Sequence, residues 1–473
     1  MILEIAYIVL LVVYIYTIFT TILFLLVENR NPVKSIAWIL VLLFVPVLGV
    51  FFYFLVGKKF RKKHIISKRS LRLLKKYESS VNQVSSDGNM TEKQKLVANL
   101  ALKNSDASLF ENNAVEVFSD ATVLYEKIFE DIKNAKHHIN LEYYIFCPDK
   151  LGRRMMEALK EKAKEGLKIR VIIDDVGSWR FKKRHVQELT DVGIEVKSFL
   201  SVGLPFINSH VNYRNHRKIL VIDGRVAYTG GINIADRYIE GLKWGIWRDT
   251  HVRLMGSVVL GLQKVFFEDW YFVKQSLVDD SMFYPKPEQC GNVLLQPVIS
   301  GPDMQWESIM QLYVKSFALA TKCIYIETPY FLPPESLINV LQCAALSGVD
   351  VRIILPRKSD AVITLYSSYS YLDQMMKSGI KIYFYQPGFI HSKVTIVDDD
   401  LSFVGSANMD FRSFEQNFEL NTIIYDKGVT AELISLFKND MENSVEVYEE
   451  DWKSRSNREK IKESLARLFS PLL

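Results

Sequence analysis

One pattern occurs twice in this chain and limits the folds open to it more than any other feature. His216-Arg-Lys218 is followed by four apolar residues, Asp223, and then Gly230-Gly231-Ile-Asn233. His391-Ser-Lys393 is followed by Val-Thr-Ile-Val, Asp398, and then Gly405-Ser406-Ala-Asn408. Every matched residue is offset by 175. Chance would produce H-x-K-x4-D about 0.03 times in a chain with eight histidines, so two copies with the same Gly and Asn trailer indicate internal duplication.

The flanking sequence repeats the same element order. In the first half, Val115–Phe118, Ile139–Phe146, Ile169–Asp174, Ile194–Phe199, Lys218–Ile222 and Ala227–Thr229 read as strands. Helical spacing marks Leu124–Ile132, Arg154–Glu165, Val186–Leu189 and Val258–Val273. In the second half, strands are expected at Val293–Val298, Ile324–Glu327, Val351–Leu355 and Ile380–Tyr385. Helices are expected at Ser308–Lys322, Ser336–Leu346 and Tyr369–Lys377. Alternation of this kind predicts an α/β fold with helices covering sheets. The expected divisions are 95–280 for a first lobe and 291–473 for a second, joined by an acid- and proline-rich loop.

The residue types in the repeated motif suit phosphoryl chemistry. Positions i and i+2 of a strand face the same way, so His216 projects with Lys218 and His391 with Lys393. Asp223 and Asp398 complete each motif and are counted with its catalytic residues; seven residues from each His and on the opposite parity, they point to local hydrogen bonding or a neighbouring ion pair. Gly231 permits close backbone approach, Ser406 stands at the matching position, and the Asn233 and Asn408 amides can donate to an anionic oxygen, so these four are expected at phosphate. Brought together about a pseudo-two-fold axis, the motifs supply cations, amide donors, one imidazole to attack and one to protonate a leaving group. Glu142 and Glu327 recur on equivalent strands, a repetition that fits a structural role as well as one near the interface. His137-His138 has no Cys or acid spacing that supports a metal, and four widely spaced cysteines give no zinc framework.

The first part of the chain is of another kind. Ile5–Val27 and Ser35–Gly57 are each 23 residues without a charge, long enough to span a ~30 Å hydrocarbon layer with some tilt. The first lacks the basic start and small-residue cleavage site of a signal peptide. Residues 1–57 therefore predict a two-helix transmembrane hairpin turning at Asn31-Pro32. Residues 58–94 follow as a basic collar and linker, with ten Lys or Arg and no acid between 57 and 76. The collar places both termini in the cytoplasm and suits anionic lipid headgroups. Outside it, 49 bases face 54 acids. A net-acidic body is a poor match for a nucleic-acid binder.

The paired motif resembles that of the phospholipase D superfamily, where it is called HKD; the resemblance covers residues 100–450. It implies two similar lobes with a duplicated mixed sheet, one active site at their interface, a phosphohistidine intermediate, and no metal or other cofactor. It also implies an acid behind each catalytic histidine: Glu419 in the second half, in Asn417-Phe-Glu419, and Asp249 in the first, in Trp247-Arg-Asp249. The Arg214-Asn-His216-Arg-Lys218 context, Asn29-Arg-Asn-Pro32, Ala37-Trp38 and the ending Leu468-Phe-Ser-Pro-Leu-Leu473 resemble bacterial cardiolipin synthases. That group implies phosphatidyl transfer between two phosphatidylglycerol molecules at the cell membrane. A phospholipase D hydrolase and a nuclease of the superfamily are the alternatives.

Overall fold

The computed structural model describes residues 2–27, 32–45, 49, 50, 53, 90–201, 212–278 and 280–472. The basic collar, the 28–31 turn and much of the second apolar run lie outside the described residues.

Ile2–Val27 is one continuous helix. Its stretch Glu4–Val27 is the one helix among the described residues long and apolar enough to cross a membrane. Most of its surface is exposed apolar side chain, including Ile8, Val12, Tyr16 and Phe19. Its threonine hydroxyls bond within the helix: Thr17 donates to the Val13 carbonyl at 2.8 Å and Thr21 to the Thr17 carbonyl at 2.7 Å. That back-bonding satisfies polar groups where no water is available. The second apolar run is helical over Pro32–Phe44. Its apolar part, Ser35–Phe44, reaches ~15 Å at 1.5 Å per residue, about half of a ~30 Å hydrocarbon layer. The expected two-span hairpin is thus reduced, among the described residues, to one span and a shorter apolar helix. Leu25, Leu42 and Tyr53 are buried together, with Trp38 edge-on to Tyr53 at 5.5 Å.

From residue 90 on, the chain builds a mixed sheet of 15 strands. Its central pair is Phe110–Phe118 against Val293–Ser300, antiparallel. Moving outward on one side come His251–Met255, Val226–Gly230, Lys218–Ile222, His138–Tyr143, Lys168–Asp174 and Glu195–Phe199. On the other come Glu419–Tyr425, Leu401–Gly405, Val394–Val397, Cys323–Glu327, Asp350–Pro356 and Lys381–Tyr385, with Ser444–Val447 at the edge. The outer three of each matching series are parallel. Their crossovers are helices, as parallel neighbours require: Lys150–Lys164 and Lys183–Thr190 on one side, Glu335–Leu346 and Val362–Met376 on the other. The central strands are buried on both faces, which is why Lys218–Ile222 and Val394–Val397 read as unbroken β-formers.

Two boundaries differ from expectation for identifiable reasons. Helix Ser308–Ala318 stops four residues short of Lys322. The N–H groups of Thr321, Lys322 and Cys323 are taken by the Asp398 carboxylate at 3.1, 2.7 and 3.1 Å. Helix Val362–Met376 starts seven residues earlier than Tyr369, because tertiary packing overrides the weak helix propensity of Val-Ile-Thr.

Candidate active site

Both histidines sit just ahead of the buried strands that hold them. Lys218 Nζ donates to the His216 carbonyl at 2.7 Å. Lys393 Nζ donates to the His391 carbonyl and lies 2.9 Å from its Nδ1. Each histidine is also tied through its backbone to the opposite half. His216 N donates to Phe418 O at 2.9 Å, and Phe418 N donates back to Arg214 O at 2.9 Å. In mirror fashion, Gly388–Ile390 pairs in parallel with Ile246–Arg248, and His391 N donates to Arg248 O at 2.7 Å.

The residue after each of these carbonyls is an acid, so the dyads are crossed. Glu419 reaches Nδ1 of His216 at 3.0 and 3.1 Å. Asp249 reaches Nδ1 of His391 at 2.7 Å. Each acid contacts the histidine of the other half through Nδ1, and Nε2 of His391 lies 3.3 Å from Lys393 Nζ. Thr250 N fixes Asp249 at 2.8 Å, and Ser406 Oγ donates to Glu419.

The remaining expected residues are held by protein partners. Gly231 matches Ser406 by offset, and a Cβ there would stand 1.9 Å from an Asp249 oxygen. Gly231 and Ser406, expected at phosphate, thus make room for one acid and bind the other. Asn233 donates to Tyr238 Oη at 2.6 Å and accepts from Ile145 N at 3.1 Å, while Asn408 bonds to Asp410. Asp223 and Asp398, grouped with the catalytic residues on the motif pattern, do not approach either imidazole. Asp223 accepts from the N–H groups of Lys136, His137 and His138 at 2.7, 2.8 and 2.9 Å. Asp398 holds the equivalent turn and takes Lys93 Nζ at 2.7 Å. Both adopt left-handed backbone, φ +55° and +57°, a conformation Asp tolerates better than most residues. Asp398→Asn is expected to lower stability by about 1–3 kcal/mol, the cost of weakening buried charge-assisted bonds. The folded fraction should keep its kcat; a large kcat loss at unchanged melting temperature would place Asp398 in the chemistry.

Electrostatics joins the motifs into one site. Burial pushes Lys218 down to about 7 and Lys393 down to about 8. Burial, aided by Lys393, lowers His391 to about 4; burial also lowers His216, with Lys218 and Lys393 adding to it. Burial opposes ionisation of both acids, yet their cationic neighbours win. Lys393 and His391 hold Asp249 below the ordinary carboxylate range, and His216 and Lys218 do so for Glu419.

Several neighbours escaped the sequence reading. The Tyr144 ring meets His216 edge-on at 4.9 Å. Trp247, Phe389, Tyr238 and Tyr330 surround His391, with ring centres 5.0 to 6.5 Å away. Two buried arginines brace the acids from behind. Arg217 pairs with Asp269 and donates to Glu419 O at 3.2 Å. Arg248 pairs with Asp440 at 2.7 Å and donates to Asp249 O at 2.7 Å. Glu142 and Glu327 lie in these same clusters, both raised by burial beside Asp269 and Asp440, Glu327 to about 8. The repetition of Glu142 and Glu327 was visible in the sequence; Asp269 and Asp440 carried no signal beyond their place on a helix.

Comparisons with known proteins agree with this architecture. A family model described as "Cardiolipin synthase, PLD-like domain" matches residues 128–243 and 313–441, and "Phospholipase_D-nuclease N-terminal" matches 12–58. The chain is 39% identical to the major cardiolipin synthase of Bacillus subtilis over 472 residues, covering 97% of this chain and 98% of that one. It is 40% identical to a cardiolipin synthase of Listeria monocytogenes, covering 94% and 95%. The crystal structure of a phosphatidylserine synthase from Haemophilus influenzae superposes with a TM-score of 0.63 over 81% of this chain and 100% of that one. Its 15% identity makes this a likeness of fold. The family model and the near-full-length relatives together establish that the chain belongs to the cardiolipin synthases, phosphatidyltransferases of the PLD-like family.

Proposed function

We propose that the protein transfers a phosphatidyl group from one phosphatidylglycerol to the terminal hydroxyl of another, giving cardiolipin and glycerol. The observation that carries this reading is the crossed pair of dyads: two imidazoles in one buried field, each with Nδ1 on a carboxylate. The carboxylate fixes the tautomer and stabilises imidazolium. One Nε2 attacks phosphorus, forming a P–N bond as the bond to the glycerol oxygen breaks. The other ring, which its carboxylate and the negative charge of the bound phosphate hold protonated against the burial that lowers it, gives its proton to that oxygen. A second phosphatidylglycerol hydroxyl then returns a proton to this imidazole and attacks phosphorus, and the P–N bond breaks. Lys218 and Lys393 neutralise the phosphoryl oxygens as charge develops. The matching strand orders on either side of the central pair support a body made of two repeats, about 95–280 and 291–473. The apolar residues up to 57 and the basic residues 58–76 support a two-span anchor with the body on the cytoplasmic side.

Purified protein with phosphatidylglycerol vesicles tests this. Cardiolipin and glycerol should appear in equal amounts, without added metal; phosphatidic acid as sole product would make the enzyme a hydrolase. Run across pH, kcat/KM should fall as pH rises through about 7 to 8. Burial lowers both lysines from their ordinary 10.5, so they lose there the charge that the phosphoryl group requires. A profile flat to high pH would remove the lysines from that role.

A further inference from the structure

The last helix, Asn457–Arg467, is fixed to the body along one face. Glu463 and Ala466 are buried there, and Arg455 pairs with Glu463. The Arg467 guanidinium lies 4.3 Å from the centre of the Tyr371 ring, and Ser470 Oγ is 2.6 Å from Ser367 Oγ. The opposite face carries Ile461, Leu465, Leu468 and Phe469, between 54% and 74% exposed. Ile461 and Leu465 share that face by their i, i+4 spacing, and Leu468 and Phe469 extend it in the turn that closes the helix. Lys462 borders this apolar stripe on one side and the exposed Arg458 projects within it, while Lys460 and Arg467 turn to the body, Lys460 Nζ donating to the Lys453 carbonyl at 2.7 Å and Arg467 to the Ser370 carbonyl at 3.3 Å. The helix's two glutamates, Glu459 and Glu463, fall on the far side of the wheel.

The stripe continues toward the catalytic mouth. Lys462 Nζ stands 5.7 Å from the Tyr366 ring centre, and one turn before Tyr366 come the exposed Val362 and Ile363. Two residues before that turn is Asp360, which accepts from Tyr330 Oη at 2.6 Å. The Tyr330 ring is one of those around His391. These contacts connect the exposed apolar face to a ring beside His391.

We propose that Ile461, Leu465, Leu468 and Phe469, with Val362 and Ile363, form a docking face by which the catalytic body itself seats on an anionic bilayer. The face is a contact separate from the amino-terminal apolar helix. The exposed Arg458 and Lys462 along the stripe, with no acid within it, match anionic headgroups above an acyl layer, their stems snorkelling to the phosphates. A protein partner fits less well, since a stable interface needs about 1,000 Å² or more and four side chains on one helix provide far less. The face would hold the mouth where its substrate is dissolved; in this it rests on the phospholipid reading above.

The full-length protein is reconstituted in vesicles of phosphatidylglycerol and phosphatidylcholine. A diazirine-bearing leucine analogue is placed at position 465, or for comparison at 346. Leu346 is 74% exposed but ends the helix leading into the far end of strand Asp350–Pro356. Illumination should yield lipid adducts at 465 and none at 346. Adducts only to a second copy or to another polypeptide, or none at 465, overturn the proposal. Leu465→Asp combined with Phe469→Asp should reduce turnover of vesicle phosphatidylglycerol ~10-fold by removing the apolar anchor. Turnover of a short-chain, water-dispersed phosphatidylglycerol should stay within about twofold, because that substrate needs no docked surface. Equal loss on both substrates overturns docking. The cross-link requires no catalysis, so it stands or falls apart from the assigned reaction.

Discussion

Replacement of His216 or His391 by Asn is expected to abolish cardiolipin formation from phosphatidylglycerol. The reaction gives the two rings different tasks, and neither can be skipped when the leaving group is an alkoxide. A positioned acid–base group contributes typically ~10²–10⁴-fold, and loss of the nucleophile removes the covalent path altogether. A donor with a good leaving group, such as a nitrophenyl phosphatidyl ester, separates the roles because it departs without a proton. One variant should then accumulate a phosphatidyl-enzyme visible by intact mass; the other should form none. Near-normal turnover after either single change would sink the two-histidine mechanism.

The second large effect concerns the crossed dyads. Glu419→Gln and Asp249→Asn should each slow transfer by about two to four orders of magnitude, because each amide disfavours the tautomer and the imidazolium that its histidine needs. The pairing itself is read from double variants. In the histidine variant that still forms the covalent adduct with the activated donor, one acid has lost its partner and the other has not. If His216 is the missing ring, adding Glu419→Gln should cost little more, whereas adding Asp249→Asn should slow adduct formation sharply. The reverse applies if His391 is missing. Interaction energies between contacting residues make such non-additivity measurable. The opposite pattern, with each acid silent only beside its own half's lost histidine, would contradict the crossed geometry.

These dyads mark where the sequence stopped being legible. Histidines and lysines stand in a pattern of types and spacings on strands long enough to show periodicity; Asp249 and Glu419, which break the offset of 175, were indicated only by the family resemblance. The crossing depends on Arg214–His216 meeting Phe418 and on Gly388–Ile390 meeting Ile246–Arg248. Those bridges are two or three residues long, too short to leave a hydrophobic rhythm. The Gly/Ser difference between Gly231 and Ser406 looks like a tolerated variation in sequence. In space it accompanies the one-methylene difference between Asp249 and Glu419, since the shorter acid comes closest where no side chain intrudes. The turn-holding duty of Asp223 and Asp398 was half visible, from their parity and distance. The early start of Val362–Met376 was hidden by β-branched residues whose helix is stabilised by its neighbours.

The backbone bridges between halves carry a consequence for how the enzyme is made. Translation delivers His216 long before Glu419, 203 residues later. Asp249 likewise precedes His391 by 142 residues. A nascent chain halted between Asp249 and His391 holds an imidazole without its carboxylate and a carboxylate without its imidazole. An enzyme that cuts and rejoins the lipids of its own membrane thus stays inert at the ribosome, and a proteolytic fragment ending between the motifs is inert as well. Catalytic competence requires both exchanges, and the chain does not hold the groups for the second until Glu419 has been added.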